Sequence, residues 1–160
     1  MSDRVTAVAE YVVNTTSTPA EIREKLDALE AQMRTYPQVE IIPRHYFAEG
    51  LYAREITIPK GTLLTGKIHH FQHLNIISKG DITVLTEQGP KRVTAPCTLI
   101  SPPGTKRLGY AHEETVWTTV HANPEDIQDV EKLEAVLVSE SHTALDQEGD
   151  VCRLLPHPSP

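Results

Sequence analysis

The stretch Gly66-Lys67-Ile68-His69-His70-Phe71-Gln72-His73, continuing through Leu74-Asn75-Ile76-Ile77-Ser78-Lys79-Gly80-Asp81, decides the fold. Residues 73–78 are rich in apolar and β-branched side chains, Lys79-Gly80-Asp81 is a turn signal, and residues 81–87 resume the same β-like pattern. The segment therefore reads as strand, tight turn, strand. Just before it, three of the chain's 8 histidines fall between positions 69 and 73. Imidazole is the commonest neutral metal ligand at physiological pH, so clustered histidines bounded by glycines point to a site built on strands.

Outward from this hairpin the same rhythm recurs. Residues 39–43, 51–58, 63–66, 91–95, 98–100, 106–110 and 116–121 are β-like. They are punctuated by Pro59-Lys60-Gly61-Thr62, Gln88-Gly89-Pro90, Ala95-Pro96, Pro102-Pro103-Gly104 and His112-Glu113-Glu114. Short strands with turns every ~8–12 residues predict a sandwich or barrel, and the lack of interleaved helices excludes a βαβ architecture.

On the N-terminal side, Thr18-Pro19 with Glu21 is a capping box. Ile22, Leu26, Leu29 and Met33 then recur at helical spacing, so an amphipathic helix is predicted from Pro19 to about Arg34. On the C-terminal side, Asn123-Pro124-Glu125-Asp126 predicts a second, short helix with Asn123 as N-cap. Residues 133–138 fit either a continuation of that helix or a last strand. The expected organisation is an N-terminal extension and helix (1–38), a β-barrel (39–123), and a C-terminal helix with a flexible tail (124–160). A short strand at residues 11–13 and a mobile or surface-bound segment at 142–160 complete the expectation.

The formal net charge of −7 argues against nucleic acid as a partner, since phosphate binding needs clustered cations. No apolar run approaches the ~20 residues of a membrane helix, and no basic start followed by an apolar run marks a signal peptide. The 2 cysteines, Cys97 and Cys152, form no disulfide framework and no paired metal motif. A cytoplasmic location is expected.

Residues 39–123 resemble a cupin, a small double-stranded β-helix of the jelly-roll type. The first cupin motif carries two histidines separated by one residue, then a glutamate, then a hairpin glycine. Aligned on Gly80, it puts Lys67 and His69 at the histidine positions and His73 at the glutamate. The second motif ends in a histidine, and after Pro103-Gly104 that place is taken by Arg107. The resemblance implies a barrel with His69 and His73 facing inward, a departure from the usual ligand set, and a homodimer or larger assembly. Residues 104–110 and 115–121 are also similar to small uncharacterised cupin-like proteins encoded by bacteriophages, which implies a host-cell cytoplasm.

Strand alternation places residues 67, 69, 71 and 73 on one face if the strand is regular; a bulge near Phe71 would exchange His69 for His70. His121, on the inward-facing set with Thr119 and Trp117, is the expected third imidazole. Three imidazoles with open positions suit a divalent Zn, Fe, Mn or Ni ion, which would activate a water or polarise a carbonyl. Tyr110 or Glu49 would then supply a proton. Lys67, Arg107 and Tyr110 are expected to bind a small, possibly anionic ligand, with the alternative that Lys106 and Arg107 are a solvated pair on an edge strand. Cys97 is expected to be a packing thiol, His112 an exposed turn residue, and Trp117 a packing residue in the core or between subunits. Two functions remain open at this point: a ligand-binding barrel with a metal, enzymatic or not, and a non-enzymatic structural or phage-adaptor barrel whose metal-free pocket binds a small anion.

Overall fold

The computed structural model of the protein describes residues 18–86 and 89–140, so the expected strand at 11–13 and the tail from 142 lie outside the described residues. Helix α1 (Pro19–Met33) starts as the capping box predicts: the Glu21 amide donates to the Thr18 hydroxyl, and the Glu21 carboxylate accepts from the Thr18 amide at 2.7 Å. Eleven strands follow among the described residues: β1 (Arg44–Ala48), β2 (Leu51–Ile58), β3 (Leu63–Thr65), β4 (Ile68–His69), β5 (His73–Lys79), β6 (Asp81–Thr86), β7 (Gly89–Thr94), β8 (Cys97–Ser101), β9 (Leu108–Ala111), β10 (Thr115–Ala122) and, after helix α2 (Val130–Leu137), β11 (Val138–Ser139). Residues 39–43 form no ladder, and the first strand begins one residue beyond Pro43.

Two antiparallel sheets face each other, ordered β1-β2-β10-β5-β8 and β3-β9-β6-β7. The chain pairs from the outside inward: β2 with β10, β3 with β9, then β5 with β8 and β10, and β6 with β7 and β9. First strand against last, wound across two sheets, is the jelly roll, or double-stranded β-helix. The mainly β barrel with an N-terminal helix and a short C-terminal helix is thus the observed architecture.

Between the sheets pack Ile58, Ile77, Ile82, Val84, Val93, Ala111 and Trp117, with Cys97 partly buried against them. Burying each large side chain contributes roughly 1.5–3 kcal/mol. Trp117 lies in this core, where its indole N–H donates to Asn75 Oδ1 at 3.0 Å; the Asn75 amide donates in turn to Ser101 Oγ at 2.6 Å. The buried polar layer is therefore satisfied. At the β5–β6 turn Gly80 has φ +97°, and a Cβ there would run into the backbone of Glu114 and Thr115. Only glycine fits both the conformation and the space.

Helix α1 buries Ile22, Leu26 and Leu29 on Leu85 and Leu108 of the smaller sheet. Lys106 anchors it. This side chain is 2% exposed, and its ammonium reaches Asp27 at 2.9 Å and Glu30. Burial opposes its charge, but the two carboxylates outweigh burial and hold its pKa above the ordinary lysine value. The solvated pair considered for Lys106 and Arg107 is overturned: Lys106 is buried and Arg107 is half-buried.

Helix α2 starts later than expected. Asn123 does not cap it, because its side chain is engaged with Ile127, accepting from the Ile127 amide and donating to the Ile127 carbonyl, each at 3.0 Å. Asp129 is the N-cap, accepting from the amides of Glu131 and Lys132. Residues 133–137 are helical, and the chain then turns directly into β11, which pairs with β4. Leu133 and Leu137 pack on Tyr52, Phe47 and Phe71, so α2 and β11 close one end of the barrel.

Candidate metal centre

Alternation along the long strands selects the inward side chains at this end. On β10, Trp117 and His121 are buried; on β5, His73, Asn75 and Ile77 are. Val120 pairs with Leu74, so His121 and His73 lie one step further along the same two strands. His69 arrives from β4, which ends there; the chain bends at His70 and Phe71 before β5 begins. The two histidines therefore meet from separate strands, the short β4 and the long β5, and not from one regular strand. The Gly104 amide donates to the His69 carbonyl at 2.8 Å and the His70 amide to the Leu137 carbonyl at 2.9 Å, which fixes the bend. His70 turns away from the cluster toward α2, its Nδ1–H donating to the Val136 carbonyl at 2.8 Å while its Nε2 is buried without a partner.

The rings of His69, His73 and His121 are mutually stacked, with centroids 4.0, 5.0 and 4.9 Å apart for the pairs 69–73, 69–121 and 73–121. One nitrogen from each lies within 4.8 Å of the others. Among the described residues this is the one such group of three or more potential ligands. His73 Nδ1–H donates to the Phe71 carbonyl at 3.1 Å, leaving Nε2 as a bare acceptor with no partner; His69 Nδ1 is likewise buried and unpartnered. A backbone carbonyl that holds the far nitrogen of an imidazole fixes the tautomer a metal ligand needs.

The electrostatics keep all three rings neutral. Burial pushes His69 down to about 2, helped by the charges His73, His121, Arg107 and Arg54 would present beside it. Burial and the neighbouring His73 and Arg54 push His121 down to about 4. Burial also lowers His73, partly offset by its bond to Phe71. Neutral imidazoles with free lone pairs are the form that binds metal, so the donor set fits a divalent transition ion.

Of the other expected site residues, Arg107 sits half-buried in the loop before β9, and its charge disfavours protonation of His69 and His73. Lys67 instead points toward α2, paired with Glu134 at 2.9 Å. Tyr110 packs edge-on against His112 and lines a groove of about 940 Å³ between the end of α1, residues 36–41 and β3. Glu49 is exposed in the β1–β2 turn. His112 is not a free turn residue: it is half-buried and hydrogen-bonded to the Thr83 hydroxyl at 2.7 Å.

Arg54 was not among the expected site residues. It stands on β2, two residues after buried Tyr52, the register partner of His121, and its charge disfavours protonation of His69 and His121. The Tyr52 hydroxyl is hydrogen-bonded to His45 at 2.8 Å. The signal was present in the sequence. Arg54 is the one charge in the inward set Tyr52, Arg54, Ile56, Ile58, and a charge in a core-facing set needs a reason.

No protein-family model and no curated protein sequence matches the chain. Among solved structures it is similar to a cupin domain from Bordetella pertussis, with 16% identity, 55% of this chain and 98% of that one, at a TM-score of 0.44. KdgF from a Halomonas species gives 16% identity over 59% of this chain and 94% of that one, at 0.46. Ectoine synthase from P. lautus gives 11% over 54% and 67%, at 0.47. No helix of the described residues is long and apolar enough to cross a membrane. The pairing order of its own strands makes the chain a jelly-roll, double-stranded β-helix barrel.

Proposed function

We propose that this cupin-like barrel binds a divalent transition metal through His69, His73 and His121 and presents it to a small-molecule ligand at the α2 end of the barrel. The observation that carries the proposal is the convergence of three imidazole nitrogens within 4.8 Å, two of the rings carrying a buried nitrogen with no other partner. Zinc, iron, manganese and nickel all accept imidazole, and a three-nitrogen set leaves positions for water or ligand. A bound ion would supply Lewis acidity to that ligand. The protein's own part is to hold the rings: β10 and β5 fix His121 and His73 in register, the Phe71 carbonyl orients His73, and the β4–β11 pair holds His69.

Arg107 is the ligand-facing member of the expected trio Lys67, Arg107 and Tyr110. Self-association belongs to the same proposal, supported by Leu74 and Ile100, register partners on β5 and edge strand β8 that are 41% and 65% exposed.

The test is metal content by mass spectrometry on untagged protein purified without chelator, beside a His69→Ala/His73→Ala double variant. Near-stoichiometric metal, lost in the variant, is the expected result. A folded, metal-free wild type that takes up none of Zn, Fe, Mn or Ni would overturn the proposal and leave a structural or adaptor barrel.

A further inference from the structure

The ligand set is unusual in its charge. Three neutral imidazoles bring no negative charge, and among the described residues no carboxylate pairs with either Arg54 or Arg107. Each guanidinium has a buried Nε with no hydrogen-bond partner. Arg54 stands on β2, two residues from Tyr52, the register partner of His121, and its charge acts on His69 and His121. Arg107 stands in the loop before β9, three residues after Gly104, whose amide bonds the His69 carbonyl, and its charge acts on His69 and His73. One guanidinium from a strand and one from a loop thus put positive charge beside the imidazoles.

A half-buried guanidinium whose Nε has lost water without gaining a partner is costly, and a divalent ion nearby would add to the positive charge. The deficit is negative charge with hydrogen-bond acceptors in it. Arginine's fixed fork of N–H donors matches an oxyanion, which accepts two bonds from one guanidinium, and Arg is the residue suited to buried sites of this kind. Lys106, the adjacent cation, is not available for the role because Asp27 and Glu30 already satisfy it. Lys67 is likewise taken by Glu134.

We infer that the site takes a small oxyanion, a carboxylate or phosphate group, held between Arg54 and Arg107 beside the three imidazoles. The inference concerns the same site and deepens the proposed function, but it stands without the metal, because the unpaired guanidinium groups are there in either case. The oxyanion supplies the charge that the histidines do not, and when a metal is bound it completes the neutralisation. Chloride, a single spherical acceptor without the pair of oxygens that matches two parallel N–H bonds, is the discriminating control.

The experiment is isothermal titration of the full chain with inorganic phosphate and, separately, with malonate, at constant ionic strength set by chloride. Metal-free and zinc-loaded protein are titrated in parallel. Saturable binding of at least one of the two is expected, weakened at least tenfold in Arg54→Gln and in Arg107→Gln, with zinc stoichiometry unchanged in both variants. The stronger of the two probes tells a phosphate site from a carboxylate site. If a glutamine variant does not fold, Arg54→Lys and Arg107→Lys keep the charge and remove the fork, and the same weakening is expected. Absence of saturable binding to the folded wild type, with and without zinc, would overturn the inference, as would binding that neither arginine affects. Failure of the metal reading looks different: no zinc uptake, yet arginine-dependent oxyanion binding in the metal-free protein.

Discussion

At the scale of single residues, the three imidazoles are kept unprotonated by where they sit. In the unfolded chain they titrate near the ordinary value of 6.5, whereas in the fold His69 is held to about 2 and His121 to about 4. Because the folded values are depressed, the unfolded chain binds more protons than the fold at every pH between, and stability falls as pH falls below 6.5. The metal-free barrel is expected to lose about 2 kcal/mol for each of His69 and His121 between pH 7.5 and pH 5. Urea unfolding at the two pH values measures it, and a His69→Gln/His121→Gln variant should show a clearly shallower dependence. An unchanged dependence would mean that the rings are not held neutral. Arg54 teaches the complementary lesson. Its alternation with Tyr52, Ile56 and Ile58 was readable, but no motif called attention to it, since a single inward charge announces a pocket only once its neighbours across β10 and β4 are known.

At the scale of elements, β4 is the weak member: two residues long, it has a ladder only to the equally short β11. Its position depends on α2, through Leu137 packed on Tyr52 and the backbone bond from His70 to Leu137. Leu137→Ala is expected to cost about 2–4 kcal/mol by leaving a cavity. It should also speed hydrogen exchange at the His70 amide and weaken metal binding, while amides of β10 stay protected. Exchange read by mass spectrometry checks this, and equal loss of protection in β10 would deny the closure its separate character. The long strands were legible in the sequence because turn residues bracket them and one face of each is apolar. The β4–β11 pair was not, because two-residue strands carry no periodicity and their partner lies about seventy positions away. The start of α2 was misplaced for a related reason: Asn123 and Asp129 both have cap chemistry, and only the surrounding loop decides that Asn123 bonds Ile127 instead.

At the scale of the whole molecule, the two sheets bury one face each, and the larger sheet leaves Leu74, Ile76 and Ile100 exposed on neighbouring strands, beside β8, its edge strand among the described residues. Exposed apolar side chains clustered at an open edge favour pairing. Light scattering after size-exclusion chromatography is expected to give twice the chain mass, reduced to the single mass by Ile100→Glu; a monomeric wild type would leave this face without that role. The closure by α2 and β11 carries a consequence for biosynthesis. Both sheets are fully encoded once residue 122 has been made, and they have what they need to fold together as the chain emerges. The strand that steadies His69 is encoded later, at Val138–Ser139. A nascent barrel thus has both its sheets before the strand that steadies its third imidazole has been made.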